Sequence, residues 1–352
     1  MEELLPKDNE SIHLPIDGPV APSEPAGFSA DQMIRCDECL RANPPTRVNC
    51  LYCAAVLPVT ESTARLRKPT LKQPEKHEPG FNTIALCGNG QGQTADSLQE
   101  IADLLKLSIE NCERILSAAF PLPLARTASR DEADLVVERL AELGLNTVTL
   151  SDDTLGTDEA SIVRARSLQW DAQQLWIHLS GGKDSCLVNW SELILLVSGR
   201  LTLKKVEVVE RMSKRSEKEL LNTSEFFNDE TIIDLYSSSV DQTFRIGANS
   251  FDFSCLGEDK TLVSGQNLKS LRDAIISRSK NIQVDESYNV LRNALEPVWP
   301  IEQETQSSGW RRERPGKFSL GATTVNSNES QFTRYSRLRR YFILNPSQTD
   351  AS

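Results

Sequence analysis

Histidine is scarce in this 352-residue chain, which has only three: His13, His77 and His178. They stand far apart in sequence, and none sits beside a nucleophile in a recognisable arrangement. A histidine metal triad and a nucleophile–imidazole pair are therefore not in view. Carboxylates are plentiful, but no pair is singled out by spacing. Long apolar runs are missing as well. No stretch approaches the roughly 18 consecutive apolar residues that read as a membrane-spanning helix. The first residues, MEELLPKDNESIHLP, are acidic and lack the basic-then-apolar order of a secretory signal. Positive charge is also in deficit: 39 Lys and Arg face 50 Asp and Glu, a net charge of −11. Such a chain does not coat nucleic acid as a whole. The expectation from these absences is a cytoplasmic, non-enzymatic protein with no membrane span.

What is present begins with cysteine. Cys36, Cys39, Cys50 and Cys53 form two C-x-x-C pairs separated by ten residues. Each pair offers two thiolates from one tight turn, and two facing turns make a closed tetrahedral S4 site for one structural Zn2+. Four protein ligands leave no open position for water or substrate, so such a site holds structure. A redox pair and two separate disulfides are the alternatives. The other cysteines, Cys87, Cys112, Cys186 and Cys255, are scattered singly, as buried thiols in a reducing compartment are.

The full spacing is C-x2-C-x3-N-x6-C-x2-C, with Asn43 between the pairs. This resembles the RanBP2-type zinc finger over residues 34–55. An Asn between two metal knuckles makes physical sense, because its side chain bonds nearby backbone and tolerates turn conformations. The family usually carries a Trp two residues before the first Cys, where this chain has Ile34. Ubiquitin-binding relatives have a Thr-Phe pair after the second Cys, where this chain has Leu40 and Arg41. RNA-binding relatives use the Trp with arginines and asparagines. Arg41, Asn43, Arg47 and Asn49 are here, but Tyr52 is the sole aromatic among them. The resemblance implies metal binding and carries over neither ligand class.

Composition divides the rest. Residues 1–31 are rich in Pro, Glu, Asp and Ser and read as disordered, 32–58 as the zinc finger, and 59–80 as a polar linker. Residues 82–152 read as a small α/β module. Asn82–Cys87 is a candidate first strand, and Ser97 with Glu100 forms a capping box opening a helix through Leu105. Ser108 starts a second helix, Leu122–Arg126 is extended, and Ser129 with Glu132 opens a third helix. Gly144 stops that helix and Asn146–Leu150 alternates as a strand. Over 97–150 this order resembles the C-terminal domain of the bacterial ribosomal stalk protein. The face that recruits factors in that family would carry Glu110, Asn111 and Glu113 here, so a protein-interaction module is expected and factor recruitment is not.

Two loops invite a phosphate reading. GNGQGQ supplies Gly88, Gly90 and Gly92 without the third glycine offset or the Lys-Ser/Thr of a nucleotide loop, and reads as a connection. SGGKDS, Ser180–Ser185, resembles the pyrophosphate loop of N-type ATP pyrophosphatases, some of which act on RNA and carry zinc modules. That resemblance implies backbone N–H groups and Lys183 on a phosphate at a helix N-terminus, with Asp184 in the same loop. The competing reading is a hairpin turn between LWIHL and SCLVNW.

Taken as a hairpin, it begins a run of strands at 167–170, 175–179, 186–190, 193–197, 201–209, 231–237 and 243–253. An amphipathic helix follows, with Leu262, Leu268, Leu271, Ile275 and Ile276 at helical spacing. Over 160–280 this resembles a pleckstrin-homology-like barrel. Residues 284–345 then interleave Trp299, Trp310, Phe332, Tyr335 and Tyr341 with Arg311, Arg312, Arg314, Arg334, Arg337, Arg339 and Arg340. That pattern suits either a single-stranded RNA surface or a C-terminal strand with its aromatics turned inward.

The sequence thus predicts a multidomain α+β protein: a zinc ribbon, a small α/β module, and an antiparallel β-rich, barrel-like domain (160–345) with a C-terminal helix and an Arg/aromatic extension. The expected role is an adaptor or regulator with a protein partner. An ATP-dependent enzyme acting on RNA and a single-stranded RNA binder are the alternatives.

Overall fold

The computed structural model describes residues 28–29, 32–58, 67, 69–75, 78–88, 93–156, 162–181, 185–212, 218–314 and 317–348; the side chains of 209–222 and 308–320 are not among them. Apart from residues 28–29, the expected disordered segment 1–31 falls outside the described residues, as do 59–66 of the expected linker 59–80, His13 and His77. The chain divides into two compact units, Met1–Lys68 and Pro69–Ser352.

In the first unit, β1 (Ile34–Arg35) pairs antiparallel with β2 (Ala42–Asn43). Ile34, Cys36, Cys50 and Leu57 make a small buried cluster. A module of this size buries too little apolar surface to be stable without a further tie, commonly a metal.

The second unit opens with residues 69–75, which run without regular structure against a helix. Thr70 Oγ1 and the Leu71 N–H donate to Glu132 at 2.5 and 2.6 Å, and the Ala128 N–H donates to the Lys72 carbonyl. Then come β3 (Phe81–Ala85), α1 (Ala95–Leu105), α2 (Ile109–Leu116), β4 (Leu122–Thr127), α3 (Arg130–Glu142) and β5 (Thr147–Ser151), followed by the single turn α4 (Asp152–Leu155). The strands form a three-stranded antiparallel sheet in the order β4-β3-β5. The element order is the one the sequence predicts, but the first cap is not. Thr94 caps α1 by accepting from the Ser97 N–H, so the helix starts before Ser97, whose hydroxyl turns back to Gln93. Ser108 and Ser129 cap α2 and α3 as expected. Glu132 does not close a capping box, because its carboxylate serves Thr70 and Leu71 instead.

The remaining strands are β6 (Ile162–Trp170), β7 (Gln174–Leu179), β8 (Ser185–Asn189), β9 (Leu193–Met212), β10 (Lys218–Ser237) and β11 (Thr243–Gly247). Helix α5 (Ser264–Arg278), β12 (Gln283–Asp285), α6 (Tyr288–Leu295), β13 (Glu302–Arg314), β14 (Lys317–Ser327) and α7 (Glu329–Leu344) complete the chain. The strands make one nine-stranded sheet in the order β13-β14-β9-β10-β11-β6-β7-β8, with β12 beside the start of β9. It is curled as a half-barrel. Most neighbours are antiparallel, but β11 runs parallel to β6, and β12 parallel to β9.

The segments read separately as 193–197 and 201–209 are one 20-residue strand, because Gly199 sits within the strand and does not break it. The first half of β9 is buried on both faces. Leu195, Val197 and Leu201 join a core with α6, α7 and the three-stranded module, while Leu193 and Leu196 join a second core with α5. The second halves of β9 and β10, with β13 and β14, extend past these cores. SQFTRYSRLRRYFIL forms α7, not a strand. Its poor alternation is the i, i+3 and i+4 spacing of Phe332, Tyr335, Leu338 and Phe342, all buried against the sheet.

Candidate metal centre

Two local motifs build the cysteine site, and they are copies of each other. In Cys36-Asp-Glu-Cys39-Leu40, the Leu40 N–H donates to the Cys36 carbonyl at 2.9 Å and Leu40 takes φ 60°. In Cys50-Leu-Tyr-Cys53-Ala54, the Ala54 N–H donates to the Cys50 carbonyl at 3.0 Å and Ala54 takes φ 61°. Each turn reverses the chain so that both of its sulfurs face one point. The Cys36 N–H donates to the Arg41 carbonyl, and the Cys50 N–H to the Ala55 carbonyl, which closes both knuckles alike.

The four sulfurs lie within 4.8 Å of one another. Cys36 and Cys53 approach to 3.6 Å, and Cys39 and Cys50 to 3.5 Å. Both contacts cross between knuckles, and all four cysteines are free thiols. These separations far exceed the roughly 2.05 Å of a disulfide. They match the edge of about 3.8 Å that Zn–S bonds of about 2.3 Å set in a tetrahedron. The donor set thus fits one tetrahedral ion, zinc among the candidates. Cys36 and Cys50 are buried, Cys39 is half-buried and Cys53 is exposed.

The clustered thiols shift one another in opposite directions. Burial pushes the Cys50 thiol up, but the Tyr52 and Cys53 backbone, Cys39 and Asn43 together outweigh it and bring it to about 6. At Cys53 the Ala55 backbone favours the thiolate, yet burial and the neighbouring Cys39, Cys36 and Cys50 drive it up to about 12. Four adjacent thiolates are held together only when positive charge compensates them.

Asn43 is fully buried. Its Nδ2 donates to the Arg41 carbonyl at 2.9 Å and to the Cys50 Sγ at 3.4 Å, and its Oδ1 accepts from the Leu51 N–H at 2.8 Å. The spacing pointed to this residue. The left-handed positions at Leu40 and Ala54 were missed, although each directly follows the second Cys of its pair. Around the site, Leu40, Leu51, Tyr52 and Val56 are more than half exposed, and the Arg41 guanidinium lies 4.6 Å from the centre of the Tyr52 ring.

The other candidate regions behave differently. Gln174–Leu179 and Ser185–Asn189 pair antiparallel, and Gly181 takes φ 89° in the turn between them. Ser185 therefore opens a strand where a pyrophosphate loop needs a helix N-terminus; Gly182, Lys183 and Asp184 lie outside the described residues. Gly88 takes φ 87°, and Gly90 and Gly92 lie outside the described residues. On α7 the aromatics are in the core and the arginines are engaged. Arg339 donates to Asp285 at 2.6 Å and stacks 3.7 Å from the Phe120 ring centre, while Arg340 donates to Asp241 at 2.7 Å. Trp299 is buried and donates to Asn82 at 2.8 Å. Trp310, Arg311, Arg312 and Arg314 have side chains outside those described. Among the described residues, no helix is long and apolar enough to cross a membrane.

No known protein family, curated protein or solved structure matches the chain.

Proposed function

We propose that the protein is a zinc-binding, non-enzymatic adaptor or regulator whose RanBP2-like finger contacts a macromolecular partner, most simply a protein. One observation carries this reading: a closed four-sulfur site lies among Leu40, Leu51, Tyr52 and Val56, apolar side chains left exposed on a very small module. Exposed apolar surface grouped on a small rigid element is the usual mark of an interaction site. Four protein ligands assign the metal a structural task, holding those side chains in place. The engaged arginines of α7 favour a protein partner over single-stranded RNA, and the strand at Ser185 weighs against the ATP reading. The four remaining cysteines are free thiols, which supports a cytoplasmic setting.

The test places a photo-crosslinking amino acid at Leu51 of the full chain and compares zinc-loaded protein, chelated protein and Tyr52→Ala in cells. The reading expects one discrete protein adduct with the zinc-loaded chain, lost on chelation and reduced in Tyr52→Ala. RNA adducts, or protein adducts indifferent to both changes, would overturn it.

A further inference from the structure

The second halves of β9 and β10 reach beyond both hydrophobic cores, and among the described residues the outer edge of β10 has no strand beside it there. Its outer neighbour β11 pairs only with Ile232–Leu235. Over Thr223–Glu230, β9 is the one strand beside β10 among the described residues, while the Thr231 carbonyl already accepts from the Ala248 N–H. Along this stretch Phe226 and Phe227 are 55% and 69% exposed, one on each face of the sheet. Open edges in soluble proteins are usually blunted by charged side chains, by Pro or Lys above all, or by a covering element. The segment TSEFFNDET contains neither residue.

We infer that this edge pairs with the same edge of a second copy of the chain, forming a two-fold dimer in which Phe226 faces Phe226 of the other copy. Charge and register select that arrangement. In an antiparallel two-fold pairing the axis runs through the sheet, so opposite residues share a face and one residue opposes itself. An axis at residue 225 would oppose Glu225 to itself, and an axis at 227 would oppose Glu225 to Asp229. An axis at 226 opposes Ser224 to Asn228, Glu225 to Phe227 and Thr223 to Asp229. No like charges stand directly opposite each other, and an aromatic pair forms at the centre, a favourable cross-strand combination.

Each acidic residue of the edge already has a partner within one copy, a cation for Glu225 and Asp229, which lets two such edges approach. Glu225 pairs with Lys204 at 3.1 Å, Asp229 accepts from Arg200 Nε at 2.5 Å, and Glu230 accepts from the Asn249 N–H at 2.8 Å. Lys205, opposite Phe226 on β9, sets its ammonium 5.9 Å from that ring and adds a cation–π contact beside the central pair.

The test is light scattering on the full chain over a range of concentrations, with Phe226→Lys alongside. The inference expects twice the chain mass for the native protein and the monomer mass for Phe226→Lys, with unchanged circular dichroism because residue 226 is exposed. Mild oxidation of Phe226→Cys should give a disulfide-linked dimer above the native background, since directly opposite Cα atoms lie about 4.5–5.5 Å apart, within disulfide reach. Phe227→Cys, which faces Glu225, should not. A monomeric native chain, a dimer that survives Phe226→Lys, or equal cross-linking at 226 and 227 would overturn it.

Discussion

The side-chain amide of Asn43 donates to the sulfur of Cys50 across 3.4 Å, from a residue with no solvent exposure. The same side chain holds the Arg41 carbonyl and the Leu51 N–H, so it joins the exit of the first knuckle to the entry of the second. A hydrogen bond to a ligand sulfur steadies the thiolate and fixes its direction. Asn43 is thus part of the candidate metal centre although it supplies no ligand.

Asn43→Ala should therefore weaken metal binding while leaving all four sulfurs in place. Loss of a partner that orients a ligand typically costs about 10–100-fold in affinity. Competition titration against a chromophoric chelator measures it. Asn43→Asp keeps the acceptor for Leu51 and loses the donor to Cys50, and should show most of the same loss.

Ala54→Gly should leave metal binding intact and raise resistance of the finger to chelation. At φ 61° an alanine carries a left-handed penalty of about 1 kcal/mol that glycine avoids. Ala54→Val should do the opposite, because β-branched side chains fit that backbone least well. Chelator-induced loss of metal, followed with time, separates the three proteins.

In the second unit, Gly199 brings the β9 backbone under the rings of α7 and α6. A Cβ placed there would stand 2.3 Å from the Phe332 ring and 3.1 Å from Tyr288. Gly199→Ala should destabilise the unit by about 1–3 kcal/mol, as overpacking of a tight core does. Phe332→Leu in the same chain should recover part of that loss, although Phe332→Leu alone is destabilising. Thermal unfolding of the four proteins gives the coupling.

Asp152 predicts a pH effect. Burial pushes its carboxyl up, but hydrogen bonds from Arg126 and Asn82, the Arg126 charge and the Gly80 N–H overcome this and hold it below the usual carboxylate range. A folded-state pKa below the unfolded value, about 3.9, contributes stability that is present above that pH. It is lost as pH falls through the folded value. Unfolding of the native protein should thus become easier below about pH 4, and Asp152→Asn should flatten that part of the profile while lowering stability at neutral pH. Urea midpoints from pH 3 to 7 test the difference.

Much of this fold was legible where one periodicity stood alone. Cys36 to Cys53 are local in sequence, so their spacing carried the site, and Ser108 and Ser129 cap helices through contacts only three residues long. Thr94 and Glu132 show the limit. Thr94 took the cap one turn early, and Glu132 found partners in Thr70 and Leu71, about sixty residues upstream. The α7 helix was obscured because its arginines reach carboxylates on distant elements, Arg339 to Asp285 and Arg340 to Asp241. Nothing local requires glycine at 199; the ring of Phe332, 133 positions on, leaves no room there for a Cβ. The parallel pairing of β11 with β6 likewise joins segments that no local pattern connects.

The metal centre is tested by elemental analysis of the full chain purified under reducing conditions without added metal, with Cys50→Ser prepared in parallel. One zinc per chain is expected in the native protein, and its loss in Cys50→Ser. A native chain that stays metal-free when offered zinc, or one whose Cys36, Cys39, Cys50 and Cys53 prove to be paired as disulfides, would contradict it.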